Sequence, residues 1–196
     1  MREGDLNSFD GVIQLHVAHW RGGADALMLA ATRAGDVGPM VTLSALVVCT
    51  LILARRPREA RQLIFGAGGC LLLNLALKVA FHRARPDPRL AFLLPQESSL
   101  SFPSGHTMGT AGVLGSLTII AFALHLPRAM RWSVAALSAA GIGLVGASRV
   151  YLGAHYPSDV LGGLLGAGAW LAAVTGWLYP RLLPGEYDTK PNEHHS

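Results

Sequence analysis

The chain has 196 residues, and its 16 Lys plus Arg outnumber its 12 Asp plus Glu to give a net charge of +4. Half of it (51%) is hydrophobic and only 14% is charged, where an ordinary soluble domain carries about 25% charged residues. With a mean hydropathy of +0.38 this excludes a disordered chain, and no glycine period or biased tract supports a collagen-like or low-complexity one.

The first 36 residues contain Phe9, Val12, Ile13, Val17 and Trp20 at helical spacing, with Asp10 and Gln14 elsewhere on the turn. Asn7 or Ser8 is placed to cap such a helix. The pattern predicts an amphipathic helix lying in a membrane interface rather than crossing it. No basic leader runs into an apolar stretch and cleavage site, so a signal peptide is not expected.

Long neutral stretches follow. Residues 37–54, 62–77, 98–127, 132–148 and 160–180 carry no charge over 18, 16, 30, 17 and 21 positions, and 106–126 is the strongly apolar part of the third. A membrane-crossing helix needs about 20 mostly apolar residues. The second run reaches that length only by including Lys78, which puts a cation at membrane depth. The expected fold is therefore all-α, a polytopic transmembrane bundle of five spans plus the N-terminal interfacial segment. The expected domains are an interfacial segment at 1–36, a membrane domain at 37–180 and a cytoplasmic polar tail at 181–196. Both cysteines, Cys49 and Cys70, lie in apolar runs, which argues against a disulfide-stapled secreted domain.

Loop charge predicts sidedness. Arg55, Arg56, Arg58 and Arg61 crowd one connection, and Arg128 and Arg131 another, whereas 83–103 and 148–156 hold four arginines in 30 residues. The denser basic loops are expected on the cytoplasmic face. That arrangement puts the N-terminus outside, the tail inside and Trp132, Trp177 and Tyr179 at the cytoplasmic boundary. Arginines split across two membrane faces are no nucleic-acid footprint. The Gly141–Gly146 and Gly162–Gly168 clusters are expected to let helices approach closely.

On the outer side the helix ends collect Lys78, Arg85, Ser104, His106, Arg149, His155 and Asp159. Ionisable groups at membrane depth are costly and mark functional sites. Lys78 and Arg85 are seven apart and share a helix face if the helix runs that far. Pro86 is expected to end that helix at Arg85. Pro103 suits the first turn of the next helix, leaving the amides of Ser104, Gly105 and His106 at an anion-binding N-terminus. Pro157 marks another start, with His155 before it and Asp159 in its first turn, so the carboxylate can reach back to the imidazole. An imidazole oriented in this way is a nucleophile, and His106 on a different helix is available as an acid. Three cations with helix-terminal amides suit a tetrahedral dianion and need no metal or other cofactor.

These residues carry a family resemblance. Lys78 through Arg85-Pro86 resembles the K-x6-RP motif of the type 2 phosphatidic acid phosphatases, whose superfamily includes the vanadium haloperoxidases. Pro103-Ser104-Gly105-His106 resembles their PSGH motif, and Ser148-Arg149 with His155 and Asp159 resembles SR-x5-H-x3-D. The resemblance implies that His155 attacks phosphorus to form a phosphohistidine, that Asp159 orients it, and that His106 protonates the leaving alcohol. It implies that Lys78, Arg85, Ser104, Gly105 and Arg149 hold the phosphate, without metal or cofactor. The implied substrate is a lipid phosphate at the outer face of the cell membrane, of the phosphatidic acid or phosphatidylglycerophosphate type. Undecaprenyl diphosphate is the alternative within the family. A phospholipid-binding or transport protein without catalysis is the alternative from another class. Haloperoxidases are disfavoured because they are mainly soluble and longer. Membrane members usually have six spans, one more than is counted here, and none of the motifs lies in the first.

Overall fold

The computed structural model describes residues 9–87, 92–94 and 99–180. Within them the chain forms seven helices and no strand: α1 (Phe9–His19), α2 (Asp25–Ala34), α3 (Val37–Leu53), α4 (Pro57–Phe81), α5 (Gly105–Ala123), α6 (Arg128–Tyr151) and α7 (Pro157–Leu178). The expected tail at 181–196, the caps at Asn7 and Ser8 and residues 88–91 and 95–98 of the loop after Asp87 lie outside the described residues.

Four helices, α4 to α7, are long and apolar enough to cross a membrane, and a fifth crossing exists if α2 and α3 count as one span bent by 50°. Their outward faces are those of helices in lipid: Leu53, Leu72, Leu137 and Leu165 are all exposed, where a soluble bundle would cover such side chains. The chain is accordingly a multi-pass membrane protein. α5 is the hub, packed against α3, α4, α6 and α7. It buries a face of small residues, Thr107, Thr110, Ala111, Gly112 and Ser116, as membrane helices do where backbones come close.

The segment before the bundle is richer than its sequence predicts. A helix, α1, forms here, burying Gly11 and Gln14 and exposing Phe9, Val12 and Leu15, with Trp20 exposed just after it. A second helix, α2, follows it and packs on α6. The turn between them is pinned to α6, because Arg21 Nε donates to the Tyr151 carbonyl (3.0 Å) and the Tyr151 hydroxyl donates to Asp25 Oδ1 (2.6 Å).

The expected helix end at Arg85 is corrected. α4 stops at Phe81, where His82 adopts a left-handed conformation (φ 45°) and its amide bonds to the Lys78 carbonyl. Pro86 sets only the farthest possible end; the left-handed cap acts four residues sooner. Lys78 and Arg85 therefore do not share a helix face. Pro103, likewise, lies one residue before the Ser104 N-cap of α5 rather than in its first turn. Pro157 does open α7 as expected.

One glycine shows why α5 and α7 can meet at the site. A Cβ on Gly163 would lie 3.0 Å from the Ser104 carbonyl oxygen and 3.3 Å from the Met108 amide, both backbone atoms that cannot rotate away, whereas Gly168 faces open space. Gly163→Leu should lower stability by about 1–3 kcal/mol, the usual cost of overpacking, and Gly168→Leu should not. Thermal unfolding of the two variants in detergent checks this.

Candidate active site

Six helix ends meet at one rim of the bundle: the C-termini of α2, α4 and α6 and the N-termini of α3, α5 and α7. A cavity of about 510 Å³ opens there, with Lys78, Arg85, Gly105, His106 and His155 at its polar end. Five of the eight residues singled out from sequence thus line one space. The other three stand behind it. Ser104 is fully buried and caps α5, its Oγ accepting from the Thr107 hydroxyl (3.0 Å) and more distantly from the Thr107 amide (3.5 Å). Asp159 is buried beneath His155. Arg149 is 1% exposed and donates from Nη1 to the Thr32 hydroxyl at 2.7 Å.

His155 and Asp159 form the centre. His155 sits in the turn between α6 and α7, its amide bonded to the Arg149 carbonyl. Its Nδ1 lies 3.3 Å from Asp159 Oδ2, and its Nε2 lies 3.3 Å from the Arg85 guanidinium. An ionised carboxylate only accepts, so Nδ1 carries the proton and Nε2 the lone pair. An unprotonated imidazole nitrogen is a group able to act as a nucleophile, and Arg85 is beside it. The Asp159 carboxylate has further donors: the Tyr156 amide (2.9 Å), the Ser101 hydroxyl (2.5 Å) and Arg83 (2.7 Å).

Arg83 and Ser101 are contacts the sequence did not assign. Arg83 bridges Asp159 on α7 and Asp10 on α1, both at 2.7 Å, and lies over the Tyr156 ring. Burial disfavours its charge, but the two carboxylates outweigh burial and hold the guanidinium above its ordinary value. Asp10 also accepts from the Ser158 amide and hydroxyl, so α1 caps the start of α7. A place among the unspecified positions of the K-x6-RP motif is the only sequence signal for Arg83; Ser101 has none, because its role depends on a chain fold 58 residues long. Asn74, one helical turn before Lys78, is a third such residue. It donates to the Pro103 carbonyl at 3.1 Å and lines the cavity beside Gly105.

Arg85 donates to the Ser99 carbonyl and hydroxyl (2.8 Å each) and the Ala154 carbonyl (2.7 Å), and Lys78 to the Leu100 carbonyl. His106 Nε2 lies 2.7 Å from Asp36 Oδ1. No cluster able to hold a metal ion occurs among the described residues.

Burial, and after it the positive charges of Arg85 and Arg149, push the His155 imidazole down from its ordinary value to about 4, against the pull of Asp159. The ring is therefore neutral at pH 7. Between pH 6.5 and 4 the unfolded chain binds a proton that the folded one refuses, so folding stability should fall with acid across that window, by at most about 1.4 kcal/mol per pH unit. Chemical denaturation of the parent and of His155→Gln at pH 7.5, 5.5 and 4.5 checks the sign: the parent should lose more stability than the variant.

The model of the PAP2 superfamily matches residues 59–182. The chain is 36% identical over 141 residues to the phosphatidylglycerophosphatase B of Bacillus subtilis, covering 70% of this chain and 66% of that one. It is 42% identical over 118 residues to a lipid A 1-phosphatase of Rhizobium johnstonii, covering 57% and 43%. The aligned stretch is less than two thirds of either relative's length. The crystal structure of a transmembrane PAP2-type phosphatidylglycerolphosphate phosphatase from Bacillus subtilis superposes with a TM-score of 0.74, covering 89% of each chain at 31% identity.

Proposed function

Since the chain belongs to the PAP2 superfamily, we propose that it is an integral-membrane phosphatase that hydrolyses a lipid phosphate through a phosphohistidine on His155. In this reading His155 Nε2 attacks phosphorus, Asp159 holds the opposite ring nitrogen, and His106 protonates the departing oxygen. Lys78, Arg85 and the amides at Gly105 and His106 receive the phosphate oxygens from the cavity side. Arg149 and Ser104 support that cradle from behind. Charge on the transferring group is met by fixed cations and dipoles, which is where most of the rate enhancement in such sites arises. The relatives named above act on phosphatidylglycerophosphate and lipid A, and a substrate of the phosphatidic acid or phosphatidylglycerophosphate type is the reading favoured here.

The observation that carries the proposal is the shape of the cavity. Its polar end holds both imidazoles, and its other end continues between α3 and α4 along Val41, Ala45, Val48, Ile64, Leu71 and Val113. Ile64 and Lys78 are 14 residues apart on one helix, about 21 Å at 1.5 Å per residue. That is about two thirds of the hydrocarbon thickness. A headgroup at the cations with its tail along this groove uses the whole cavity; a water-soluble ester uses one end.

Orientation follows from charge. The basic residues Arg55, Arg56, Arg58 and Arg61 lie at the start of α4, and Arg128 and Arg131 at the start of α6, each at the opposite helix end from the site. The positive-inside rule then supports five spans, counting α2 and α3 as one, in the cell membrane with the site on the extracytoplasmic face.

Phosphate release by detergent-purified protein, with EDTA present throughout, tests the reading on phosphatidic acid, phosphatidylglycerophosphate, undecaprenyl diphosphate and a water-soluble ester. The parent should turn over the lipids and form an acid-labile phosphoenzyme, and His155→Ala should do neither. Release by His155→Ala at the parental rate would remove the nucleophile assignment. Gly68→Phe, which fills the apolar end, should raise KM for the lipids and leave the soluble ester unaffected.

A further inference from the structure

Asp36 occupies the N-cap of α3, in extended conformation (φ −63°, ψ 156°). An aspartate there ordinarily accepts from an amide two or three residues on, which stabilises the helix. Asp36 makes no such bond. Pro39, at the third helical position, has no N–H to offer. The carboxylate is turned instead to His106, and Nε2–H donates to its Oδ1 at 2.7 Å.

Two features fix it there. Gly35 closes α2 against the seam of α5 and α6, so tightly that a Cβ would sit 2.6 Å from Val145 Cγ1 and 3.1 Å from the Thr110 hydroxyl. The α2 and α3 axes meet at 50° across this same Gly35–Asp36 corner. The bend in the first span and the missing cap thus have one result, a carboxylate delivered to the imidazole on α5. Lys78, Arg85 and His155 share the cavity with that imidazole.

We propose that Asp36 is a positioning residue for the leaving-group acid: it holds Nε2–H of His106, fixing the ring's tautomer and rotation, so that Nδ1 is the nitrogen that exchanges a proton with substrate. The inference rests on the phosphohistidine reading above. In the first step the Nε2 lone pair of His155 forms the P–N bond, the P–O ester bond breaks with its electron pair on oxygen, and the Nδ1 proton of His106 moves to that oxygen. His106 is left neutral, with Nε2–H still on Asp36. In the second step Nδ1 takes a proton from water, the water oxygen bonds to phosphorus, and the P–N bond breaks to return the lone pair to His155. Asp36 touches neither substrate nor phosphorus.

The test compares leaving groups. Phosphatidic acid releases an alkoxide that needs a proton; p-nitrophenyl phosphate releases an anion stable without one. In the purified full chain, Asp36→Asn should lower kcat/KM for phosphatidic acid, which reports the steps through loss of the leaving group, by about 10- to 100-fold, part of the 10²–10⁴ that a general acid contributes. The same constant for p-nitrophenyl phosphate should change little, and Asp36→Glu should restore much of the loss. The ratio of the two rates is independent of the fraction folded, so a poorly folding variant still gives an answer. Equal losses on both substrates, or none on either, would overturn the role of Asp36. His106→Ala in parallel separates the two levels: if it too shows no leaving-group preference, the assignment of His106 as the acid falls, and this inference with it.

Discussion

A carboxylate buried at the rim of a membrane bundle has to have its charge answered, and Asp159 organises the site because so many groups do so. It is 0% exposed, and removing a partner from such a charge costs several kcal/mol. Arg83, Ser101, the Tyr156 amide and His155 all converge on it, while its own carbonyl accepts from the Ser104 amide at 3.0 Å. Through these bonds α1, the segment after α4, the loop before α5, the cap of α5 and the start of α7 are held in register. The orientation of His155 is then a consequence, since an imidazole that must donate from Nδ1 has only Nε2 left to present.

Helix polarity distributes the remaining charges. Lys78 and Arg149 stand in the last turns of α4 and α6, where the helix dipole favours cations. Asp159 stands in the first turn of α7 and Asp36 at the N-terminal boundary of α3, where it favours anions. An up-and-down bundle brings C-terminal and N-terminal helix ends together on one face, so cations, acids and free amides arrive at the same rim without a dedicated loop to carry them. The same packing leaves the apolar cleft between α3 and α4 open into that rim, which joins a polar end to a greasy one in one cavity.

Much of this was legible from residues alone. A charge stands out in an apolar sequence, so Lys78, Arg149, His155 and Asp159 identified themselves, and Pro157 fixed the local geometry of the last two. Arg85 was found but misplaced, because the left-handed His82 ends the helix before the proline rule acts. α2 was not seen: ten residues with Asp25 and Arg33 at either end carry too little period, and its place is set by packing on α6. Asp36, Arg83, Ser101 and Asn74 belong to the site only through tertiary contacts across 29 to 76 residues, a distance over which composition and spacing carry no information.

The two imidazoles each sit on a carboxylate, yet their surroundings differ in a way the proposed reaction requires. His155 and Asp159 are 1% and 0% exposed; His106 and Asp36 are 20% and 50%. A nucleophile is best kept dry, since burial disfavours the protonated ring and leaves its lone pair available. An acid that must recover its proton from water in the second step gains nothing from burial and needs a path to solvent. Placing one pair beneath the turn before α7 and the other at the open corner between α2 and α3 gives each ring the environment its step demands. The 50° bend between α2 and α3 falls at this corner, and Asp36 stands in it, half exposed beside the His106 ring.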